Sequence, residues 1–427
     1  MTRRNDISRR QFLQAGSATL AALGAPGLLA GCASSGAAAP KARVAVVGGG
    51  WGGMGVARAL LREDAGLAVT LVEANPRFMS CPMSTHYIAG HAPAADFQFG
   101  YEGLDRAGVA RVTATVADID RAGKALVLGD GRRIAYDFLV LSPGIEYMEE
   151  TIAGLDAARS LAPAGFRAFE QSAVKALFDR FLADGGEFIV TVPPQPYRCP
   201  PAPHERAFLL AELMRSRRVK GKVLVLDANP APMPPPIRPA IIEAYNERYR
   251  DLIEYVPAAT LTGIDAASRT VRTSVGDFKF AAANVVPPMR APALIRKAGL
   301  GERWANVKLP SFQSAVDENV YVIGDAVGAP LPKSGHLAFE TGARVAAHIA
   351  LRVRGAAAPA SAGRVDLPNA ICFGWVSHSE AFAIHVGASM EAGAAPQLSF
   401  KVDPKASPSG AASARDWANT MWKAMLA

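Results

Sequence analysis

The chain has 427 residues, 50% of them hydrophobic and 20% charged, with 39 glycines and 31 prolines. Those proportions exclude a disordered chain, a collagen-like repeat and a small disulfide scaffold, and the length suits two to three domains. Four cysteines are too few for a disulfide framework. The net charge is +8, yet the only dense basic cluster is the short one over 215–222, so nucleic acid is not an expected partner.

The first segment reads as an address. Ser8-Arg9-Arg10-Gln11-Phe12-Leu13 has the twin-arginine export pattern, and the apolar run that follows, 15–30, is shorter than a membrane helix needs. It ends in Leu29-Ala30-Gly31-Cys32, the form of a lipoprotein cleavage box with Cys32 as the acylated residue. The other reading of the same residues is an ordinary export signal with Cys32 near the cut. The expectation is a signal over 1–31, a flexible tether over 32–41 and a periplasmic protein held to the membrane by a lipid anchor alone. Four arginines against one aspartate leave with 1–31, which lowers the net charge from +8 to +5. Twin-arginine export carries folded proteins, and so points to a cofactor loaded beforehand.

A dinucleotide site opens the next segment. Arg43-Val44-Ala45-Val46-Val47 is the apolar, branched run of a buried parallel strand. It leads into Gly48-Gly49-Gly50-Trp51-Gly52-Gly53 and a helical stretch over 54–62. In that strand–turn–helix setting Gly48 allows the tight turn, Gly50 lets a pyrophosphate approach the backbone, and Gly53 lets helix and strand pack closely. The next strand, Ala68-Val69-Thr70-Leu71-Val72, ends at Glu73, where a carboxylate can accept ribose hydroxyls.

Two later strand ends select the cofactor. Phe138-Leu139-Val140-Leu141 runs into Ser142-Pro143-Gly144, and Val320-Tyr321-Val322-Ile323 runs into Gly324-Asp325-Ala326. The pattern resembles flavoproteins with two dinucleotide-binding domains, in which such segments are the second and third contacts of FAD. By that resemblance Asp325 accepts a hydrogen bond from the ribityl chain, and the next helix aims its N-terminus at the flavin.

A second βαβ unit begins at Glu187-Phe188-Ile189-Val190-Thr191-Val192 but turns through Pro193-Pro194-Gln195-Pro196-Tyr197-Arg198-Cys199-Pro200-Pro201. Prolines remove backbone donors and block close approach, so NAD(P)H is not expected to bind there. Cys199 stands close to a helix start, where the dipole lowers a thiol pKa; the plainer alternative is a small buried cysteine.

These residues together resemble the flavoprotein subunit of flavocytochrome c sulfide dehydrogenase, with sulfide:quinone oxidoreductase a more distant cousin. The resemblance rests on the glycine turn, Phe78-Met79-Ser80-Cys81, Arg198-Cys199-Pro200-Pro201 with Glu205-Arg206-Ala207, Val286-Pro287-Pro288, Gly324-Asp325-Ala326 and Pro332-Lys333-Ser334-Gly335. It implies a glutathione-reductase-like α/β fold with two dinucleotide-binding domains and a small C-terminal α+β domain. The expected divisions are an FAD-binding domain over 42–160 and 285–355, an NAD-like insert over 161–284 and a flavin-covering domain over 356–427.

The resemblance also assigns roles. Cys81 matches a cysteine bonded covalently to the flavin, with a free loop thiol as the alternative. Cys199 matches one half of a redox disulfide whose other half follows Gly-Asp-Ala, a position held here by Val327. Cys199 and Cys372 remain as thiols that can pair, but sequence gives no distance between them, and an unpaired Cys199 is the favoured expectation. Lys333 and His336 flank the expected pyrimidine end of the flavin, where a cation stabilises the reduced ring; solvated side chains are the alternative. His204 either tunes Cys199 or caps a helix. Trp375, Trp417 and Trp422 either cover the flavin or pack in the core. The histidines show no metal-binding spacing, so no metal is expected. The chain lacks C-x-x-C-H, and a haem must therefore come from a c-type cytochrome partner. The expected activity is FAD-dependent oxidation of sulfide or a related sulfur compound, with the cytochrome as acceptor. Val327 leaves room for a non-sulfide donor or for an idle flavoprotein partner.

Overall fold

The computed structural model describes residues 39–356 and 363–427; the export signal, Cys32 and most of the tether lie outside the described residues. Strand β1 (Ala42–Val47) is buried at all but one position, as a branched aliphatic strand covered on both faces must be. It turns through the glycines into α1 (Trp51–Glu63), and β2 (Leu67–Glu73) returns parallel to it, with Val44 opposite Val69. The short helix α2 (Ser84–Ile88) follows, then β3 (Ala110–Thr113) beside β2 and β4 (Phe138–Leu141) on the other side of β1.

The chain then leaves this sheet to build a second one. Helix α3 (Gln171–Asp184) leads to β5 (Gly186–Val192), α4 (Ala202–Arg217), β6 (Gly221–Asp227), β7 (Ile253–Val256) and β8 (Ala282–Asn284). These four strands form a parallel sheet in the order β7-β6-β5-β8. Phe188, Val190 and Val192 face one core while Ile189 faces another, the alternation of a strand buried on both sides.

Strand β9 (Val320–Val322) rejoins the first sheet beside β4, with Tyr321 opposite Val140, and α5 (Gly335–Val353) follows. The parallel order β9-β4-β1-β2-β3 therefore draws on two separated stretches of chain. Three antiparallel strands, β10 (Val365–Ser377), β11 (Glu380–Met390) and β12 (Gln397–Val402), and helix α6 (Pro408–Leu426) complete the fold. Phe382, Ile384 and Val386 of β11 share the core of Phe208 and Leu210 on α4, so the C-terminal sheet is packed onto the inserted unit. Met421 and Met425 of α6 enter the core of the first sheet.

One segment departs from expectation. The proline-rich stretch 227–239 reads as a surface excursion, but Met233 and Ile237 are buried in the second core. Their apolar side chains outweigh the prolines around them. Among the described residues no helix is long and apolar enough to cross a membrane, and no group of three or more His, Cys, Asp or Glu side chains can hold a metal.

Candidate functional site

β1 has β4 on one side and β2 on the other, so the loops after β1 and β4 part in opposite directions and open a crevice at the strand ends. The Ser142 amide donates to the Val47 carbonyl at 2.8 Å and locks the two loops together. Gly48 has φ +99°, and a Cβ there would stand 2.2 Å from the Ser142 oxygen. A Cβ on Gly53 would stand 1.7 Å from the Gly48 oxygen, so helix and turn meet backbone to backbone. Around Gly50 and Gly144, in contrast, nothing lies within 4 Å of where a Cβ would be. These are the cradle positions.

The crevice encloses about 1090 Å³ of non-atom space, open solvent included. Gly50, Cys81, Ser142, Gly144, Cys199, Gly324, Asp325 and Lys333 all line it, whereas Gly48 and Gly53 shape its floor from behind. Glu73 stands outside the cleft: its carboxylate accepts the Gly49 amide at 2.6 Å and the Asn75 amide at 2.8 Å. A carboxylate offers about four acceptor sites, so capacity for a ribose hydroxyl remains. The N-termini of α1 and α5 both face the cleft, and neither helix has an acidic residue in its first turn. Trp51 and Trp417, stacked with centroids 5.6 Å apart, line it as well, and their indole N–H groups are buried without a partner. Open glycine positions, helix N-termini and unpartnered donors fit the phosphate and hydroxyl acceptors of a dinucleotide. The residues present fit FAD.

Three thiols meet at this cleft: Cys81, Cys199 and Cys372. The Cys81 sulfur lies 3.7 Å from Nε2 of Gln171, a fully buried side chain. The Cys199 amide donates to the Lys333 carbonyl at 2.9 Å, and Cys372 and Ser334 line the same cleft. Cys199 and Cys372 are both free thiols in this structure and line the cleft with residues 333–334. Burial pushes the Cys199 thiol well above its ordinary pKa and Cys372 up to about 11. The expected lowering of Cys199 by the helix dipole is overruled: α4 starts three residues later, and desolvation is the larger effect. Val327 does not line this cleft.

The charges around the thiols are buried. Glu205, facing the cleft, accepts the Trp375 amide at 3.3 Å, and burial pushes its carboxyl up to about 7. Lys333 is 5% exposed and donates to the carbonyls of Asp325 and Val327, each at 2.8 Å, with its ammonium over the Trp304 ring. Burial lowers it to about 8, so it is no solvated side chain. His336 is also buried, its ring against the Ile371 amide. Arg198 is paired with Asp325 at 3.2 Å and donates to the Phe166 carbonyl at 2.9 Å. His204 neither caps a solvated helix end nor reaches the thiol; it is fully buried, 2.6 Å from the Tyr245 hydroxyl.

The tryptophans divide. Trp375 and Trp417 line the cleft, and Trp422 donates to Ser80 at 3.0 Å, next to Cys81. Sequence reasoning left out Cys372, Glu205 and Arg206 as site residues. Glu205 and Arg206 sit in a recognisable segment, but the pairing of β10 with β11 that delivers Cys372 leaves no local signal.

A family model for pyridine nucleotide-disulphide oxidoreductases matches residues 42–175, and one for the central part of the sulfide dehydrogenase [flavocytochrome c] flavoprotein chain matches 175–287. The sulfide dehydrogenase [flavocytochrome c] flavoprotein chain of Chlorobaculum thiosulfatiphilum is 50% identical over 42 residues, which are 10% of this chain and 88% of that sequence. Over these segments the chain is similar to the flavocytochrome c sulfide dehydrogenase flavoprotein, and the matches together support an FAD-dependent disulfide oxidoreductase. The mitochondrial sulfide:quinone oxidoreductase of Dictyostelium discoideum is 24% identical over 309 residues, 68% of this chain and 67% of that one. The structure of the Aquifex aeolicus sulfide:quinone oxidoreductase superposes with a TM-score of 0.76 at 17% identity, over 90% of this chain and 91% of the other. That likeness places the chain in the two-dinucleotide-domain fold.

Proposed function

We propose that this chain oxidises sulfide at the FAD cleft and delivers the electrons to a c-type cytochrome subunit in the periplasm. The observation that carries the reading is the meeting of Cys199 and Cys372 at one cleft beside Glu205. FAD, when bound, accepts electrons in pairs and can release them singly to haem. Gly50, Gly144, Ser142 and the two helix N-termini would hold it, Asp325 would orient its ribityl chain, and Cys81 stands as the thiol for a covalent link.

In the oxidised enzyme Cys199 and Cys372 form a disulfide. Hydrosulfide attacks the Cys199 sulfur, the Cys199–Cys372 bond breaks, and its electron pair leaves on Cys372 as a thiolate. The new sulfur–sulfur bond makes Cys199 a persulfide, and its proton passes to the Glu205 carboxylate. A carboxyl held near neutrality suits that transfer. Pairing through Cys372 removes the restriction that Val327 places on the sulfide reading. Where an NAD(P)H site would hold pyrophosphate, Tyr197 is buried and its hydroxyl donates to the Pro200 carbonyl at 3.1 Å, which supports electron exit to a haem. The export signal and Cys32 supply the periplasmic, lipid-anchored location.

Anaerobic titration with sulfide tests the reading. Bleaching of the flavin at micromolar sulfide, followed by reoxidation by cytochrome c, is expected. A flavin that stays yellow with sulfide but bleaches with another donor contradicts it.

A further inference from the structure

Arg206 is 3% exposed, yet it lines the cleft. Its guanidinium donates through Nη1 to the Ala164 carbonyl at 2.6 Å and to Asn284 Oδ1 at 2.9 Å, and through Nη2 to the Gly165 carbonyl at 2.7 Å. Its Nε is buried without a partner, and its plane lies over the Phe166 ring at 4.5 Å. Among the described residues no carboxylate forms an ion pair with it. The nearby acids are committed elsewhere. Asp325 is paired with Arg198, and Glu170 takes the Tyr147 hydroxyl at 2.6 Å and amides of the 165–167 loop. Glu205 faces the Trp375 amide, and with its pKa pushed to about 7 it carries roughly half a charge at neutral pH. Tyr147 keeps its proton, its pKa raised by burial and the Glu170 carboxylate.

A buried cation that forms no ion pair, with Glu205 as the carboxyl within its electrostatic reach, is stabilised further when an anion joins it. Cys81 and Cys199 are the ionisable sulfurs within its electrostatic reach. Arg198 donates to the next carbonyl of the same loop, so 164–166 fixes two guanidinium groups in one orientation.

We infer that Arg206 is an anion anchor of this cleft, holding hydrosulfide on entry and the anionic sulfur of Cys199 afterwards, an inference that rests on the sulfide reading. The cleft then selects the hydrosulfide ion over neutral dihydrogen sulfide. A charge-assisted contact acts on binding and on the ionisation of Cys199, which a purely structural arginine would not do.

The test compares charged and neutral alkylating agents on Cys199 in the reduced holoprotein, read by peptide mass analysis. Iodoacetate carries the anion and iodoacetamide lacks it. The iodoacetate-to-iodoacetamide rate ratio at Cys199 is expected to exceed that of glutathione about tenfold, the weight of one pKa unit. Arg206→Gln should bring it down to the glutathione value, and Arg206→Lys should keep most of it. In sulfide titrations Arg206→Gln should raise the half-saturating concentration about tenfold. A Cys199 ratio equal to that of glutathione in the unmodified protein overturns the inference, and needs no variant that folds. An anion-preferring Cys199 in a protein that sulfide does not bleach overturns hydrosulfide as the ligand and the sulfide reading with it, while the anchor itself stands.

Discussion

The two βαβ units begin alike and end differently. β1 and β5 are both buried parallel strands that run into a turn and then a helix. After β1 the turn is glycine, and open space remains beside Gly50. After β5 the turn is proline, Tyr197 is buried in it, and Cys199 stands at its end with φ +52°. The acids at the ends of the second strands differ too. Glu73 is half-buried and keeps acceptor capacity, whereas Asp227 is 1% exposed and bound to Asn229 and to the Tyr255 hydroxyl at 2.9 Å. One scaffold serves a nucleotide in the first case and a thiol in the second, and the turn chemistry makes the choice.

The sharpest way to break that comparison is to spoil the glycine turn. Gly53→Ala puts a Cβ 1.7 Å from the Gly48 oxygen, a backbone clash that cannot relax into a side chain. The purified variant should carry no flavin, read as the ratio of absorbance at 450 and 280 nm, and should be less stable by roughly 3 kcal/mol or more. A yellow, stable Gly53→Ala protein would refute the placement of the nucleotide. On the proline side, Cys199→Ser and Cys372→Ser should each slow sulfide-driven bleaching on the order of a thousandfold while the flavin content stays normal. Equal loss in both variants and in the double variant marks one functional unit.

Glu205 sharpens the contrast through pH. Its carboxyl sits at about 7 in the folded protein against an ordinary 4.5. A raised carboxyl favours the protonated folded form, so its contribution is fully present below pH 4.5 and is lost as pH rises through 7. The wild type should lose roughly 3 kcal/mol across that window that Glu205→Gln does not lose, measured by urea unfolding at both ends. Bleaching should accelerate through the same window, as the carboxylate becomes available to accept a proton. The smallest effect is expected from Trp422→Phe, which removes the bond to Ser80 beside Cys81. It should cost about 1 kcal/mol in thermal unfolding.

The comparison also explains what was legible beforehand. The glycine turn, the parallel strands and the discontinuous sheet were readable because strand, turn and helix signals are local in the chain. The proline turn announced the loss of a phosphate cradle for the same reason. That Cys199 and Cys372 could pair was readable, but that they line one cleft was not, because it depends on how β10 packs over α4 and α5. Burial reversed other expectations. Lys333, His204 and His336 look solvated in sequence, yet each is at most 8% exposed. Arg206 lay within a recognised segment, but that it is buried without an ion pair among the described residues appears only in the folded chain.

The central claim is that Cys199 and Cys372 form one redox pair at the flavin cleft. Peptide mapping of the oxidised protein under non-reducing conditions tests it most directly. The account predicts a cross-linked peptide joining Cys199 to Cys372, which sulfide opens to leave an added sulfur on Cys199 and a free thiol on Cys372. Two separate thiols that alkylate independently in the oxidised, yellow protein would contradict it.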